Sequence, residues 1–256
     1  MGAYTIEKKD QGYLVFTITR EEKRNAINDD VMQGLLEALN AADDPAIKAL
    51  VITGSGERAF CSGGDLAAFH VLHTKEEAYE MLSKMAEILY NLLIFPKPTL
   101  AVVNGTAVGG GCELLAACDF RIAREGVKAG FIQGKQAITT GWGGGTILAE
   151  KLAAPTAMKI LMEAELYSVE DLQRAGFIDE VYEGSPDAAR EHFLAQLLKV
   201  DTGVLESYKK ILVRKWEATK LRERIDKEVK TNSLLWESDA HHLYVNNFLQ
   251  KKLLNN

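Results

Sequence analysis

Two glycine-rich segments and one carboxylate mark where this sequence could do chemistry. The first, Ala59-Phe60-Cys61-Ser62-Gly63-Gly64-Asp65-Leu66, follows an apolar run that ends at Thr53. Adjacent glycines after a strand give the backbone unusual dihedrals and let a ligand approach the main chain. The second, Asn104-Gly105-Thr106-Ala107-Val108-Gly109-Gly110-Gly111-Cys112-Glu113-Leu114, sets a glycine run at a helix start with a carboxylate in its first turn. Free N–H groups and the positive helix end stabilise developing negative charge at such a place. Each cluster alone is equally a tight turn, and Glu113 alone is equally an ordinary first-turn acid. The helix end favours the ionised carboxylate, while Cys112, Leu114 and Leu115 desolvate it and oppose ionisation; the sequence leaves that contest open.

These segments need a frame to hold them. Tyr13 to Thr19 is rich in β-branched and aromatic residues, as a strand requires, and Ala49 to Thr53 reads as a buried strand stopped by Gly54. Val31, Met32, Leu35, Leu36 and Leu39 recur at helical spacing between Asn28 and Ala41. A second helix runs from about His73 to Leu93 and stops before Pro96 and Pro98, and Leu100 to Val103 is another buried strand. Strand–helix–strand order of this kind implies an α/β core with parallel strands. After about Val200 glycine all but disappears, and Leu205 to Leu249 reads as two or more amphipathic helices. Their Lys209, Lys210, Arg214, Lys215, Lys220, Arg222 and Arg224 form a solvated face or, on a sharper reading, a local anion site. No internal repeat or flexible linker is visible, so the chain divides into a core over 1–199 and a helical region over 200–256 that docks on the core or on a neighbouring subunit.

Composition excludes several classes. The 256 residues are 47% hydrophobic and 26% charged with 21 Gly and 5 Pro, which is no disordered or collagenous chain. A net charge of −6 argues against a general electrostatic grip on nucleic acid or an anionic membrane. The apolar stretch Leu92 to Val103 is broken by Pro96, Lys97 and Pro98 and is too short to span a bilayer. With no secretion signal in Met1-Gly2-Ala3-Tyr4 and no CxxC among Cys61, Cys112 and Cys118, the expectation is a cytoplasmic protein with reduced thiols. There is no GxxxxGK[ST], GxGxxG, GxSxG or HExxH. The histidines His70, His73, His192, His241 and His242 are scattered, the adjacent last two read as surface residues, and no metal site is expected.

Together, Arg20…Asn25-Ala26-Ile27-Asn28, AFCSGGDL, NGTAVGGGCEL and the later Trp142-Gly143-Gly144-Gly145-Thr146 resemble the crotonase (enoyl-CoA hydratase/isomerase) superfamily. The motifs span residues 20 to 146, and the element pattern extends the resemblance over nearly the whole chain. It implies an α/β fold, a crotonase-type spiral of ββα turns with a C-terminal helical trimerisation region. It implies an acyl-CoA enzyme in which the N–H groups of Gly64 and Gly110 bind the thioester carbonyl. The physics agrees: a CoA thioester reacting beside its carbonyl becomes an enolate, whose oxyanion needs donors already in place. The resemblance also carries Lys23, Arg24 and Ala26, and Ser62, Gly63, Asp65, Leu66 and Ala67, to the lining of the CoA site. Phe248, Lys251 and Lys252 fall where relatives bring basic residues near the CoA phosphates. Coenzyme A enters as part of the substrate, no separate cofactor is implied, and a homotrimer or hexamer is expected.

One departure bears on the reaction. Hydratases of this family use two glutamates on either side of a water; one matches Glu113, and the other normally lies in an FGxPE segment. Here that segment carries no acid from Phe131 to Gly145, and Gly134 or Lys135 stands at the second position. Hydration needs one group to activate water and one to supply the α-carbon proton, so a lone carboxylate would have to shuttle a single proton. Isomerisation needs only one mobile carboxylate, though relatives often place it at the position that is empty here. Decarboxylation of a malonyl-type thioester needs no base, and Ile138 to Gly144 is similar to the same segment of ethylmalonyl-CoA decarboxylase-like members. The nominal reading is therefore an enoyl-CoA hydratase, with the decarboxylase and a non-catalytic acyl-CoA or RNA-binding relative as alternatives. Trp142 reads either as a buried loop anchor or as a wall of the acyl pocket, and Lys135 as a surface residue or a partner for a substrate carboxylate.

Overall fold

A computed structural model of the chain describes residues 2–69 and 71–254; the side chains at 66, 67, 248, 249 and 251–254 lie outside that description. The chain opens with strands β1 (Tyr4–Lys9) and β2 (Tyr13–Ile18), an antiparallel pair turned at Gly12, whose φ of +87° suits glycine. Helix α1 (Asp29–Ala42) begins where the Asn28 side chain accepts the N–H of Val31 at 3.1 Å. Strands β3 (Ala49–Gly54) and β4 (Ala59–Cys61) follow, then α2 (Leu66–Phe69) and α3 (Lys75–Ile94), which starts with a Thr74–Glu77 capping box.

Strands β5 (Thr99–Val103) and β6 (Thr106–Val108) lead into α4 (Gly110–Ala117). Strands β7 (Phe120–Arg124) and β8 (Lys128–Gly130) lead through a 3₁₀ turn (Gln133–Gln136) into α5 (Gly144–Lys151). The remainder is α6 (Ala154–Glu163), β9 (Tyr167–Ser168), α7 (Val169–Arg174), β10 (Glu180–Tyr182) and α8 (Pro186–Leu197). Three helices close the chain: α9 (Thr202–Ala218), α10 (Leu221–Trp236) and α11 (Asp239–Leu254).

The strands form a large sheet of order β1-β2-β3-β5-β7-β10 and a small one of order β4-β6-β8-β9. Three times the chain runs one strand in the large sheet, crosses to the small sheet, then turns into a helix. This is the spiral of ββα turns, and it repeats in structure without repeating in sequence. All pairings are parallel except β1 with β2 and β8 with β9. Every residue of β5 is buried because both faces of the large sheet are covered. One face joins the main core with α1 and α3; Tyr13, Val15, Val51, Leu100, Val102 and Ile122 of the other pack under Leu194 of α8.

Trp216, Leu221, Ile225, Val229 and Trp236 of the C-terminal helices lie in the same main core. Most of the basic face of α9 and α10 is spent on ion pairs: Lys209 with Asp119, Lys215 and Arg224 with Glu150, Arg222 with Glu87. The surface reading of the adjacent histidines is wrong for His241, which is 1% exposed. Its ring packs, tilted by 43°, at 4.6 Å from Trp236 and its Nδ1 bonds the Gln136 carbonyl at 2.8 Å, because α11 folds back on the 3₁₀ turn. Among the described residues no helix is long and apolar enough to cross a membrane, and no cluster of ligands could hold a metal ion.

Helix α4 aims its start at the small sheet, and its far end is pinned by Arg121 and by Lys151, an amine whose pKa burial lowers to about 7. The Cys118 carbonyl accepts from Arg121 Nη1 at 2.8 Å and from Lys151 Nζ at 2.5 Å, as the negative helix end favours. Arg121 is 5% exposed; it also donates to the Phe177 carbonyl and pairs with Asp179 at 3.2 Å. Arg121→Met strips the side-chain bonds, while Asp179, a third exposed, keeps the N–H of residue 121, so we expect a loss of about 1–3 kcal/mol in urea unfolding. A change within 1 kcal/mol would show that the pin is not needed.

Candidate active site

Two loops are laced together beneath the cleft. Ser62 N–H donates to the Arg24 carbonyl at 3.1 Å, Ile27 N–H to Gly63 at 2.8 Å, and Asp65 N–H to Ile27 at 2.8 Å. Asn25 reaches across to the Ala59 and Ser55 carbonyls at 2.7 and 3.0 Å, and Asn104 accepts the N–H of Gly54 at 3.2 Å. The asparagines of both motifs thus tie loop to strand and leave the backbone between them to the cleft. Arg20 pairs with Asp65 at 2.7 Å, so the Asp65 carboxylate is engaged within the protein. Lys23 and Arg24 are exposed, Ala26 is buried and Ser62 half-buried beside them. The side chains of Leu66, Ala67, Phe248 and Lys251 lie outside the described residues.

The glycines are there for close approach. Gly63 has φ +91°, and a Cβ on it would lie 3.2 Å from the Gly110 nitrogen and 3.3 Å from the Val108 carbonyl. The turn bearing Gly64 therefore packs directly on the start of α4. Among the described residues nothing bonds the N–H of Gly64 or of Gly110. The Trp142 indole covers both: a Cβ at Gly110 would fall 2.2 Å from its Cζ3, and one at Gly64 3.5 Å from its Cζ2. Phe69, 3.2 Å from that same Gly64 position, makes the adjoining wall. Trp142, 4% exposed, is thus a buried anchor over the two glycines.

Glu113 is 2% exposed and ringed by donors. Its Oε1 accepts from Gln133 Nε2 at 2.9 Å and from Gly141 N–H at 3.3 Å. Its Oε2 accepts from the N–H groups of Trp142 at 2.8 Å and Gly144 at 2.9 Å. Burial and the nearby charge of Glu228 raise its pKa, the loop amides lower it, and the balance stands at about 7. Burial wins the contest that the sequence left open.

The group facing Glu113 from the acid-poor segment is Gln133, not Gly134 or Lys135. The 3₁₀ turn swings Lys135 outward, where it pairs with Glu165 at 2.6 Å, and packs Gly134 against Ala164. Gln133 Oε1 is buried without a partner among the described residues. Gln133, Phe69 and Glu228 escaped the sequence reading; of these, Gln133 alone lay in a segment already singled out.

The family model for enoyl-CoA hydratase/isomerase matches residues 8–253. The chain belongs to this family. A crotonyl-CoA hydratase from Syntrophomonas wolfei is 35% identical over 177 residues, 69% of this chain and 68% of that protein. An ethylmalonyl-CoA decarboxylase from Rattus norvegicus is 29% identical over 245 residues, 94% of this chain and 81% of that one. Among solved structures, a carnitinyl-CoA hydratase from Mycobacterium avium superposes with a TM-score of 0.83 at 26% identity, covering 98% of this chain and 97% of that one. An enoyl-CoA hydratase/isomerase from Xanthobacter autotrophicus Py2 gives a TM-score of 0.88 at 23% identity over 97% and 93%, a likeness of fold.

As a member of the enoyl-CoA hydratase/isomerase family, the protein is an acyl-CoA enzyme. Its buried carboxylate makes a testable statement about stability. The raised folded pKa means that, from pH 4.5 to about 7, the folded chain keeps a proton that the unfolded chain has released. Stability therefore falls by about 3 kcal/mol across that window and levels off above it. Urea unfolding at a series of pH values should show this slope in the wild type and not in Glu113→Gln. Equal slopes would mean that Glu113 is ionised throughout.

Proposed function

We propose that this enzyme stabilises a thioester enolate between the N–H groups of Gly64 and Gly110, with Glu113 as its one proton-transfer group. The observation that carries this reading is a carboxylate poised at about 7, three residues along the helix whose first N–H is unbonded. Preplaced amide donors act where charge develops, and an acid poised near neutrality can both take and return a proton. Exposed Lys23 and Arg24, beside Ser62 and Ala26, present positive charge to the CoA phosphates at the rim of the cleft.

Hydration of a short 2-enoyl thioester fits this set. Glu113 takes a proton from water as the hydroxyl adds to the β-carbon, and the double-bond electrons move to the thioester oxygen, held by the two amides. The same carboxyl then returns its proton to the α-carbon, and the thioester carbonyl re-forms. Gln133, an amide facing Glu113, can orient water but cannot exchange protons. That amide also supports a second reading, decarboxylation of a malonyl-type thioester, in which loss of CO₂ makes the enolate without a base. The ethylmalonyl-CoA decarboxylase that covers most of this chain belongs to that chemistry.

Parallel assays of crotonyl-CoA hydration and of CO₂ release from methylmalonyl- and ethylmalonyl-CoA separate the two. Under hydration, Glu113→Gln abolishes turnover while thioester binding survives; under decarboxylation, appreciable activity remains. Full hydration by Glu113→Gln would overturn the role given to this residue.

The assembly is proposed as a trimer or a dimer of trimers. Val204, Tyr208, Ile211 and Leu212 of α9, with Leu234 and Leu243, are exposed apolar residues beyond what a solvated helix needs. Leu221, at the start of α10, is by contrast 1% exposed inside its own chain. The free thiols Cys61, Cys112 and Cys118 suit a reducing compartment such as the cytoplasm. Sedimentation at micromolar concentration should show a trimer or larger; a single monomeric species would exclude this assembly.

A further inference from the structure

Two carboxylates share the first turn of α5. Glu113 takes the Gly144 N–H at 2.9 Å, and Glu228 takes the next two, Gly145 at 3.1 Å and Thr146 at 2.6 Å. The Thr140 hydroxyl donates to Glu228 at 2.5 Å. Glu228 lies on α10, and its neighbours on that helix grip the same loop. Ile225 packs under Gly143, where a Cβ would come within 2.6 Å, and Asn232 Nδ2 donates to the Thr139 carbonyl. The loop so held supplies the amides of Gly141, Trp142 and Gly144 to Glu113 and lays the indole over Gly110.

We propose that Glu228 is the second carboxylate of this site, a positioning residue on α10 that acts on the Glu113 proton through the helix end they share. The proposal rests on the reading of Glu113 as the proton-transfer group. Its electrostatics are local. The titratable groups beside Glu113 are Glu228 across the helix end and Cys112 on its own helix, a thiol that burial keeps neutral. Gln133 and the loop amides carry no charge. Two negative charges on one helix terminus repel, so an ionised Glu228 holds the proton on Glu113 to higher pH. Without that charge, the positive end of α5 faces Glu113 alone, and it ionises more readily.

The test is a titration of Glu113 by carbon-13 NMR on protein labelled at the glutamate carboxyl, its resonance assigned by loss in Glu113→Gln. Glu228→Gln should move the midpoint to lower pH, and Glu228→Asp, which keeps the charge, should restore most of it. The pH limb of kcat/KM should shift in the same direction, while KM for the thioester changes little. If Glu228→Gln fails to fold, Glu228→Ser leaves room for water on the same amides, and the same downward shift is expected. A folded Glu228→Gln or Glu228→Ser protein with an unchanged or raised Glu113 midpoint overturns the proposal. A wild type that turns over none of the thioesters overturns the reading of Glu113 instead, and the NMR midpoint still decides the role of Glu228.

Discussion

The structure depends on one buried carboxylate joining the starts of two helices. Glu113 belongs to the first turn of α4, and its oxygens are filled by the amides that lead into α5. A buried charge without partners is costly, and so are buried amides; here each answers the other. The interaction fixes the distance between the helices, and with it the place of the indole that α5's loop carries. Because that indole lies on Gly110, no side chain is tolerated there, and the start of α4 stays bare backbone.

The rest of the fold keeps this junction from relaxing. Arg121 and Lys151 hold the far end of α4, while Asn25 and Asn104 hold the strands that precede the two glycine turns. Neither asparagine faces the cleft as a ligand group. They bond carbonyls and amides that no strand partner reaches, so that the Gly63-Gly64 turn stays against α4. Much of what a motif records here is the support of the glycine backbone.

The long elements were legible in the sequence because their burial is periodic or continuous. The Asn28 to Ala41 pattern became α1 with Asn28 as its cap, and the apolar runs became β3 and β5. Strands β4, β6, β8, β9 and β10 are two or three residues long, too short to carry a period, and they exist only through pairing in the two sheets. The glycine loops and Glu113 were legible because close approach and first-turn chemistry restrict residue type. Glu228 was not. It sits in a helix whose charge pattern matches any solvated face, and its partners Thr140, Gly145 and Thr146 are more than eighty residues earlier. His241 was misread because adjacency on a helix says nothing of which neighbour folds back to cover one of the pair.

The grip of α10 on the Thr139 to Thr146 loop also sets when the site can exist. A ribosome delivers the chain from its N-terminus, and the strands and first helices are made before α10, which completes the main core. Until residues 221–236 arrive, the first turn of α5 has no Glu228, and Gly143 has no Ile225 beneath it. The glycine turns would then stand beside a carboxylate whose cradle is unfinished. Assembly of this junction is thus tied to synthesis of α10, and a chain ending before residue 221 carries both glycine segments and Glu113 without the helix that grips their neighbouring loop.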